Sequence, residues 1–398
     1  MIETGGWGGI AHYAWNLCQA LAGEGADVCL LTNARYELED LPRSFCLDPC
    51  FVRGVGYLRT VRGLRRRLAA LAPDVVHVQS LVSSRFDGFL WPRLRRQAAL
   101  VMTAHNVRSH EGLAVEAWTV WRSLRAADAV VAHTQESAQV AARRLGAKAR
   151  IALIHQGDYG FFAPGAEMDR AAARRRIGLP LQGPMLLMFG AIRPYKGILG
   201  AIAAFPQIRR RHPDAHLVIA GPLLFGAEAE YRYAIERAGV GDAVTFRPGY
   251  VPHADVAAYF RAADVALYNY FEVTDSASLR VACSLGTPVV ATAVGAFAEF
   301  LTDGATARLV PPNDPASLAA AVGEMLADPV RAARMAEAAR ALAASTWSWV
   351  ESARATLELY RTVLRPASLA AALRGAAPKP VGRPAGGGAD VRQGPWRG

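Results

Sequence analysis

The 398-residue sequence has no uninterrupted apolar run of about 18 residues, so we expect no membrane-spanning helix. Its first residues, MIETGGWGG, lack the basic and apolar regions of a secretion signal, and we expect a cytoplasmic protein. The five cysteines are an odd, scattered set, which indicates reduced thiols rather than disulfides. Cys46 and Cys50 have no matching Cys or His pair nearby, so we interpret them as structural residues and not as a metal site.

Several ligand-binding signatures are also missing from the sequence. There is no zinc finger, RNA-binding aromatic signature or recognition-helix pattern, and no G-x-G-x-x-G follows a strand in the way that dinucleotide-binding dehydrogenases require. The net charge is nevertheless +11, of which residues 366–398 contribute +4 and the rest of the chain +7. Such an excess indicates an anionic partner: a phosphorylated substrate or an acidic membrane surface, with nucleic acid the weakest of the three.

Short apolar, β-branched runs alternate with alanine-rich amphipathic segments along the chain. Near-continuous apolar strands separated by helices predict parallel sheets covered on both faces. A break at residues 161–169 (FFAPGAEMD) separates two sets of runs. We therefore predict an α/β protein with two doubly wound, Rossmann-like domains at 1–165 and 166–346, a long amphipathic helix over 347–364 and a disordered Pro/Gly/Ala-rich tail over 366–398.

A glycine-rich stretch, GGWGGIAHY (5–13), is predicted to open a helix at Gly9. Doubly wound domains normally place a strand directly before such a loop, but only Ile2, Glu3 and Thr4 remain to supply it. A gap in the sheet would leave backbone groups unpaired. We therefore expect that the first strand is truncated and that the true start lies upstream.

Two cations follow a predicted strand end in the stretch MFGAIRPYKG (188–197). Arg193 and Lys196 lie between Gly190 and Gly197, just before the helix that begins GILGAIAAF. Loops that connect a strand to a helix bind oxygen-rich anions, and phosphate is the first candidate. The alternative is a pair of solvated loop cations.

Polar residues follow another strand end in YNYFEVTDSASLRVACSLGTPVV (268–290). A helix is predicted to begin near Ser276, so that Ser276, Ala277 and Ser278 occupy its first turn. The free N–H groups of that turn would attract a diphosphate. Asp275 is the predicted N-cap residue.

Taken in order, these stretches resemble family-4 retaining glycosyltransferases of the GT-B fold, of the type that builds exopolysaccharide and other bacterial surface glycans. The resemblance covers residues 1–364 and includes TAHNVRSHE (103–111), IALIHQGDYGFF (151–162) and GAFAEF (295–300). It implies an acceptor-binding N-terminal domain, a C-terminal domain that binds a UDP- or GDP-linked sugar, and a cleft between them. It also implies that the helix at 347–364 crosses back onto the first domain, and that the sugar moves with retention to a glycan or lipid-linked glycan.

The resemblance also assigns residues to the site. Arg193 and Lys196 match cations that neutralise the donor diphosphate as the sugar leaves, and His105 matches a histidine that reaches the donor sugar. Glu299 matches an acidic position whose role we leave open. The residues predicted for catalysis are His105, Arg193, Lys196, Glu272 and Asp275, and those predicted for binding are Gly8, Gly9, Gly190, Arg193, Lys196, Tyr250, Val251, Ser276, Ala277, Ser278 and Glu299.

The sequence departs from the family pattern where many relatives carry two glutamates eight residues apart. Those positions hold Val273 and Val281 here, so the nucleotide hydroxyls must be recognised differently. Glu272 or Asp275 is then expected to take the sugar-facing role. No Asp-any-Asp motif lies at a suitable strand end, so we expect no essential divalent metal and no other cofactor.

Two segments of the first domain, 57–71 and 89–100, are both basic and apolar. They could bind an anionic membrane surface, which predicts a peripheral location on the inner face of the cell membrane, or they could be solvated helix faces. Leu90 is also placed at this interface. The residues predicted to meet the membrane are Arg62, Arg65, Arg66, Trp91, Arg93, Arg95 and Arg96.

Two other functions remain open from the sequence. One is a different GT-B enzyme, such as a nucleotide-sugar epimerase. The other is a non-catalytic, membrane-associated scaffold that kept the fold, which Val281, Ala277 and the short N-terminus favour.

Overall fold

The computed structural model describes residues 1–52, 55–83, 85–105, 114–162 and 168–364, and the predicted tail at 366–398 lies outside them. Two α/β domains, each with a parallel sheet, make up this part of the chain. Among the described residues, no helix combines the length and the apolar character needed to cross a membrane.

The N-terminal domain has a parallel sheet with helices between its strands. The sheet contains two groups of hydrogen-bonded strands, β2-β1 and β3-β4-β5-β6. Its elements are α1 (Gly9–Gly23), β1 (Cys29–Asn33), β2 (Cys46–Phe51), α2 (Tyr57–Leu71), β3 (Val75–Val78), α3 (Asp87–Leu94), β4 (Ala99–Thr103), α4 (Ala114–Ala126), β5 (Ala129–Ala132), α5 (Gln135–Leu145) and β6 (Ile151–Leu153).

The short segment ahead of the glycine loop joins these two groups of strands. Ile2 forms parallel bridges to Leu31 of β1 on one side and to Val78 of β3 on the other. Its N–H donates to the carbonyl of His77 at 2.8 Å, and the N–H of Glu3 donates to that of Leu31 at 3.0 Å. The few residues available therefore occupy the central position of the sheet, where a gap would have left the edges of β1 and β3 unpaired.

The C-terminal domain has a six-stranded parallel sheet in the order β12-β11-β10-β7-β8-β9. Its elements are α6 (Arg170–Arg176), β7 (Met185–Phe189), α7 (Ile198–Arg211), β8 (His216–Ala220), α8 (Glu228–Arg237), β9 (Val244–Arg247), α9 (His253–Ala262), β10 (Val265–Tyr268), α10 (Ala277–Ser284), β11 (Val289–Thr292), α11 (Gly295–Phe300), β12 (Arg308–Val310), α12 (Pro315–Ala327) and α13 (Pro329–Thr346). Short 3₁₀ turns lie at Gly160–Phe162, Pro194–Lys196 and Gly241–Ala243.

Strand β7 shows why the sequence pattern is continuously apolar. Met185 and Leu187 pack into the core on one face of the sheet, and Leu186 and Met188 pack into the core on the other. Both faces are buried, so polar residues have no place along the strand. The polar residues that follow it are consequently concentrated at its carboxyl end.

The last described helix, α14 (Trp349–Val363), returns from the C-terminal domain to the N-terminal domain. Ala353 packs against Tyr13 and Leu17 of α1. The hydroxyl of Tyr360 lies 2.7 Å from Nδ1 of His77, next to the central strands. This helix therefore joins the two domains. The prediction that it crosses back onto the first domain is confirmed.

Candidate active site in the cleft between the domains

A cavity of about 480 Å³ lies in the cleft and is lined by both domains. The strand order explains its position: β7, the first strand of its domain, lies between β10 and β8, so the order reverses there. Ligands of open parallel sheets bind in the crevice at the carboxyl ends of the strands at such a point. Eleven predicted site residues line this cavity: Gly8, Gly9, Gly190, Arg193, Lys196, Tyr250, Val251, Asp275, Ser276, Ala277 and Ser278.

The loop after β7 supplies a buried cation. Lys196 is only 8% exposed, and its ammonium lies 5.2 Å from the ring centre of Tyr270. Burial, assisted by the repulsion of Arg193, lowers the pKa of Lys196 to about 7. Gly190, at φ +102°, leaves room for this side chain, because a Cβ there would come within 3.1 Å of Nζ. An anion in the cavity would restore the charge of Lys196.

Arg193 lies at the open side of the same loop. Its guanidinium stacks on the ring of Phe225 at 4.8 Å. Gly197 has φ +61°, and a Cβ at that position would overlap the carbonyl oxygen of Asn269. The side-chain amide of Asn269 also donates to the carbonyl of Gly197 at 2.8 Å. The loops after β7 and β10 are thus held together, as their neighbouring strands require.

Helix α10 begins one residue later than predicted. Ser276, not Asp275, is the N-cap: its hydroxyl accepts from the N–H of Leu279 at 3.2 Å. The prediction for Asp275 was wrong because its carboxylate is bound elsewhere, to Gln156 at 2.7 Å and to the buried Arg280 at 3.2 Å. Ser278 is held by β7, since its hydroxyl donates to the carbonyl of Phe189 at 3.2 Å.

The glycine loop of the N-terminal domain faces α10 across the cleft. A Cβ on Gly9 would lie 3.4 Å from the Cβ of Ala277, so the first turns of α1 and α10 approach closely. The N–H of Gly8 donates to the carboxylate of Glu37 at 2.6 Å, and the carboxylate of Glu3 accepts from the loop as well. Part of the loop's donor capacity is therefore used inside its own domain.

Tyr250 and Val251 follow β9 in the chain and line the cavity. The Tyr250 ring makes an edge contact with Trp7 of the glycine loop, with centroids 5.2 Å apart. The hydroxyl of Tyr250 is buried and has no hydrogen-bond partner among the described residues. This wall is aromatic and apolar, as a surface that stacks against a planar ring would be.

His105 is not among the residues that line the cavity. Its ring contacts the rings of Tyr13 and His133 at 4.9 and 5.1 Å, and its Nε2 lies 3.0 Å from the amide oxygen of Gln79. Since an amide oxygen accepts, Nε2 of His105 donates in this pair. Burial lowers the pKa of His105 well below its ordinary value, which keeps the ring neutral.

Glu272 and Glu299 are not among the residues that line this cavity. The carboxylate of Glu299 accepts from the backbone N–H of Gln135, at the start of α5, at 3.1 Å. It therefore acts as a contact between the domains at the N-terminus of a helix, where a negative charge is favourable.

The structure also brings together residues that the sequence analysis did not identify. His12 lines the cavity, and its Nε2 lies 2.6 Å from a carboxylate oxygen of Glu37. Glu3 lines it as well, fully buried. His12 and Glu37 are 25 residues apart on different elements, so no helix or strand spacing could have linked them.

Only some of the residues predicted to meet a membrane are exposed. Trp91 and Leu90 were placed wrongly, because α3 turns them into the core of the N-terminal domain, where both are buried. Arg95 is exposed and binds Asp128 at 2.8 Å. The other predicted arginines are exposed, namely Arg62, Arg65, Arg66, Arg93 and Arg96.

A different set of aromatic and apolar side chains of this domain is exposed or half-buried. Phe89 and Trp118 are about half exposed and lie 5.8 Å apart, with the guanidinium of Arg122 over both rings. Phe86, on the same segment as Phe89, contacts the ring of Tyr57 at 5.2 Å. We call this the aromatic surface: Tyr57, Leu58, Phe86, Phe89 and Trp118.

Within the described residues, no three His, Cys, Asp or Glu side chains come together as metal ligands would. The five cysteines are free. The absence of an essential metal stays a prediction.

Two family models match the chain: Glycosyltransferase Family 4 over residues 7–157 and Glycosyl transferases group 1 over residues 169–342. Among curated proteins, D-inositol 3-phosphate glycosyltransferase of Xylanimonas cellulosilytica is 30% identical, over 92% of this chain and 94% of that protein. The chain belongs to the family-4 glycosyltransferases. The enzyme of the same name from Streptomyces scabiei is 35% identical, but over only 61% of this chain and 55% of that protein.

Solved structures show the fold of this glycosyltransferase to be GT-B. Sucrose-phosphate synthase from Thermosynechococcus elongatus has a TM-score of 0.72 at 23% identity, over 91% of this chain and 95% of that one. The Anabaena HepE protein, in complex with UDP and glucose, has a TM-score of 0.75 at 20% identity, over 91% and 98%. The family models and the Xylanimonas relative show the activity and these structures show the fold: the chain is a hexosyltransferase-type enzyme with the GT-B fold.

Proposed function

We propose that this glycosyltransferase moves a hexose, with retention, from a nucleotide-diphosphate sugar to a glycan or lipid-linked glycan in the assembly of surface polysaccharide. The observation that carries the donor assignment is Lys196. It is buried in the cleft, and the charged neighbour that shifts its pKa is the cation Arg193. Two cations and a helix N-terminus that converge on one cavity require an anion, and a diphosphate supplies two negative groups.

The proposed chemistry follows from the same groups. The bond from the sugar C1 to the diphosphate oxygen breaks, and the acceptor oxygen bonds to C1 on the same face. The acceptor's proton passes to the departing phosphate oxygen, and the nucleoside diphosphate leaves. Arg193, Lys196 and the N-terminus of α10 stabilise the charge that develops on the leaving group. Because the leaving phosphate takes the proton and the cations take the charge, this scheme needs neither a separate general base nor a divalent metal.

A second acceptor class is a small phosphorylated polyol. The relatives from Xylanimonas and Streptomyces are D-inositol 3-phosphate glycosyltransferases by name. Transfer to a soluble acceptor would not require the membrane. The aromatic surface and its neighbouring arginines favour the lipid-linked acceptor, because an enzyme that binds an anionic membrane meets such an acceptor at high local concentration.

A thermal-shift screen against UDP-, GDP- and ADP-glucose tests the donor assignment. One nucleotide class should stabilise the protein, and Arg193→Ala/Lys196→Ala should lose that effect. A matched control is Lys148→Ala/Arg210→Ala, which removes two exposed cations that do not line the cavity. If no nucleotide stabilises the folded protein, the proposed binding of the donor diphosphate at Arg193 and Lys196 fails.

Product analysis then separates the acceptors. The selected donor is incubated with a polyprenyl-linked glycan, with inositol 3-phosphate, or with no acceptor, each with and without EDTA. Transfer to the glycan, with the anomeric configuration of the donor preserved and no effect of EDTA, supports the proposal. Transfer to inositol 3-phosphate alone would show that the acceptor is a phosphorylated polyol and not a glycan. An altered sugar in the absence of any acceptor would indicate an epimerase.

A further inference from the structure

On the side of the cavity that the C-terminal domain forms, the lining becomes apolar one turn after the start of α10. Val281 lines the cavity and belongs to the same core cluster as Phe162 and Val256, which line it too. One helical turn from Ala277 to Val281 advances about 6 Å along the axis. That distance is of the order of the separation between a diphosphate and the hydroxyls of its ribose. A ribose in this position would find no hydrogen-bond partner on those three side chains.

The N-terminal domain places a polar group against this wall. His12 lies one turn after Gly9, as Val281 lies one turn after Ala277, and Gly9 approaches Ala277 closely. The His12 ring contacts that of Phe162, with centroids 5.0 Å apart. His12 therefore faces the apolar end of the cavity from across the cleft.

Glu37 is not itself among the residues that line the cavity, but it contacts His12, which is, and one of its carboxylate oxygens is unused. One carboxylate oxygen lies 2.6 Å from Nε2 of His12 and accepts from the N–H of Gly8. The other oxygen is buried and has no hydrogen-bond partner among the described residues; Nε2 of His12 likewise lacks a well-directed hydrogen bond there. Polar atoms removed from water are costly unless a partner satisfies them, and hydroxyl groups can donate to the carboxylate oxygen.

One histidine of the C-terminal domain also lies near this pair. His253 begins α9, just after the Tyr250–Val251 wall. Burial lowers the pKa of His253, while the charge of Glu37 acts in the opposite direction. Glu37 therefore acts electrostatically across the cleft, on the side where Tyr250 and Val251 line the cavity.

We infer that His12 and Glu37 bind the ribose hydroxyls of the nucleoside diphosphate whose diphosphate lies at Lys196. This inference rests on the proposed function and adds a specificity site to it. The hydroxyls donate to the free oxygen of Glu37 and exchange hydrogen bonds with His12, while the base lies against Tyr250 and Val251. Because the pair belongs to the N-terminal domain, the nucleoside is recognised by both domains at once, and its binding favours the closed cleft.

Calorimetric titration of the full chain tests this with UDP, GDP and ADP, their 2′-deoxy counterparts and inorganic pyrophosphate. The wild-type protein should prefer the ribonucleotide that it binds over the 2′-deoxy form by about 10- to 100-fold. Glu37→Gln and His12→Asn should each reduce this preference to within about threefold, and leave pyrophosphate binding unchanged. Glu39→Gln, an exposed acid two residues away, is the matched control and should keep the preference.

The outcomes separate this inference from the proposed function. A preference that survives in both folded variants, or that the wild-type protein lacks, overturns the inference while leaving donor binding intact. Failure of every nucleotide to bind, or binding that does not need Lys196, overturns the proposed function itself. His12→Asn serves if Glu37→Gln does not fold, because it leaves the bond from Gly8 to Glu37 in place.

Discussion

The ammonium of Lys196 lies 5.2 Å from the ring centre of Tyr270, buried at the carboxyl end of β7. An aromatic face stabilises a cation only weakly compared with the water that burial removes. Burial, together with the repulsion of Arg193, therefore lowers the pKa of Lys196 to about 7. Binding of an anion beside Lys196 would raise this pKa again and restore the charge of the side chain.

Donor binding should accordingly depend on pH. A bound diphosphate raises the pKa of Lys196, so binding takes up a proton wherever the empty site is deprotonated, that is, above about pH 7. The affinity for the nucleotide sugar should be constant below about pH 6 and about fivefold weaker at pH 8 than at pH 7. Calorimetry at pH 8 in two buffers of different ionisation enthalpy should show uptake of close to one proton. Lys196→Arg, which stays charged, should abolish the dependence; a flat wild-type profile from pH 6.5 to 8.5 would contradict the argument.

Glu3 should be essential for the glycine loop. Its carboxylate is 1% exposed and accepts from the N–H groups of Gly5 and Gly6, and from the hydroxyls of Thr32 and Ser80. Glu3→Ala leaves these donors unsatisfied and should destabilise the N-terminal domain by about 2–4 kcal/mol. Hydrogen exchange of residues 1–9 and the urea midpoint measure this, with the exposed Asp40→Ala as the control. An unchanged midpoint and unchanged exchange would show that the loop does not depend on Glu3.

The parts of the site that could be predicted are those encoded by neighbouring residues. The apolar run of β7 is continuous because both of its faces are buried, and Arg193 and Lys196 follow it directly. Parallel topology then brings the loop after β7 to the loop after β10, since the two strands are paired. No knowledge of distant contacts is needed for that conclusion.

The parts that could not be predicted depend on such contacts. Glu37 reaches His12 from a separate loop, and only the folded sheet brings them within 2.6 Å. Asp275 and Ser276 are both good N-cap residues, and the choice is decided by Arg280, which holds the carboxylate of Asp275. Trp91 belongs to a short helix that contains a proline, and its spacing alone did not reveal which face is buried.

The aromatic surface should bind anionic membranes. Phe89→Ser/Trp118→Ser should weaken binding to vesicles of phosphatidylglycerol and phosphatidylcholine by about tenfold or more, since both rings can bury apolar area in the interface. Co-sedimentation measures the bound fraction, and Val330→Ser, an exposed apolar residue of the C-terminal domain, is the control.

The exposed arginines of α2 give an independent test. Charge reversal of Arg62, Arg65 and Arg66 to Glu should weaken binding to anionic vesicles by about 100-fold or more, with little change on purely zwitterionic ones. If the wild-type protein does not sediment with anionic vesicles, these helices are solvated faces and the soluble acceptor becomes the better proposal.

The ion pair between Asp275 and Arg280 allows a structural role of Asp275 to be distinguished from a catalytic one. Arg280 is 1% exposed, lies 4.4 Å from the ring centre of Trp347 and donates to the carbonyl of Gln156. Asp275→Ala leaves this buried guanidinium without its carboxylate and should cost about 3–5 kcal/mol, seen as a large fall in the melting temperature. Replacing Arg280 by Met as well should recover much of that loss, because the unpaired charge is removed.

Activity of the stable double variant then decides what Asp275 does. If Asp275 only positions the start of α10, transfer should return together with stability. If its carboxylate contacts the donor sugar, as the sequence predicted, the double variant should fold and bind the nucleoside diphosphate but transfer the sugar far more slowly. Comparing kcat with the affinity for the free nucleoside diphosphate distinguishes the two cases, since that ligand carries no sugar for Asp275 to contact.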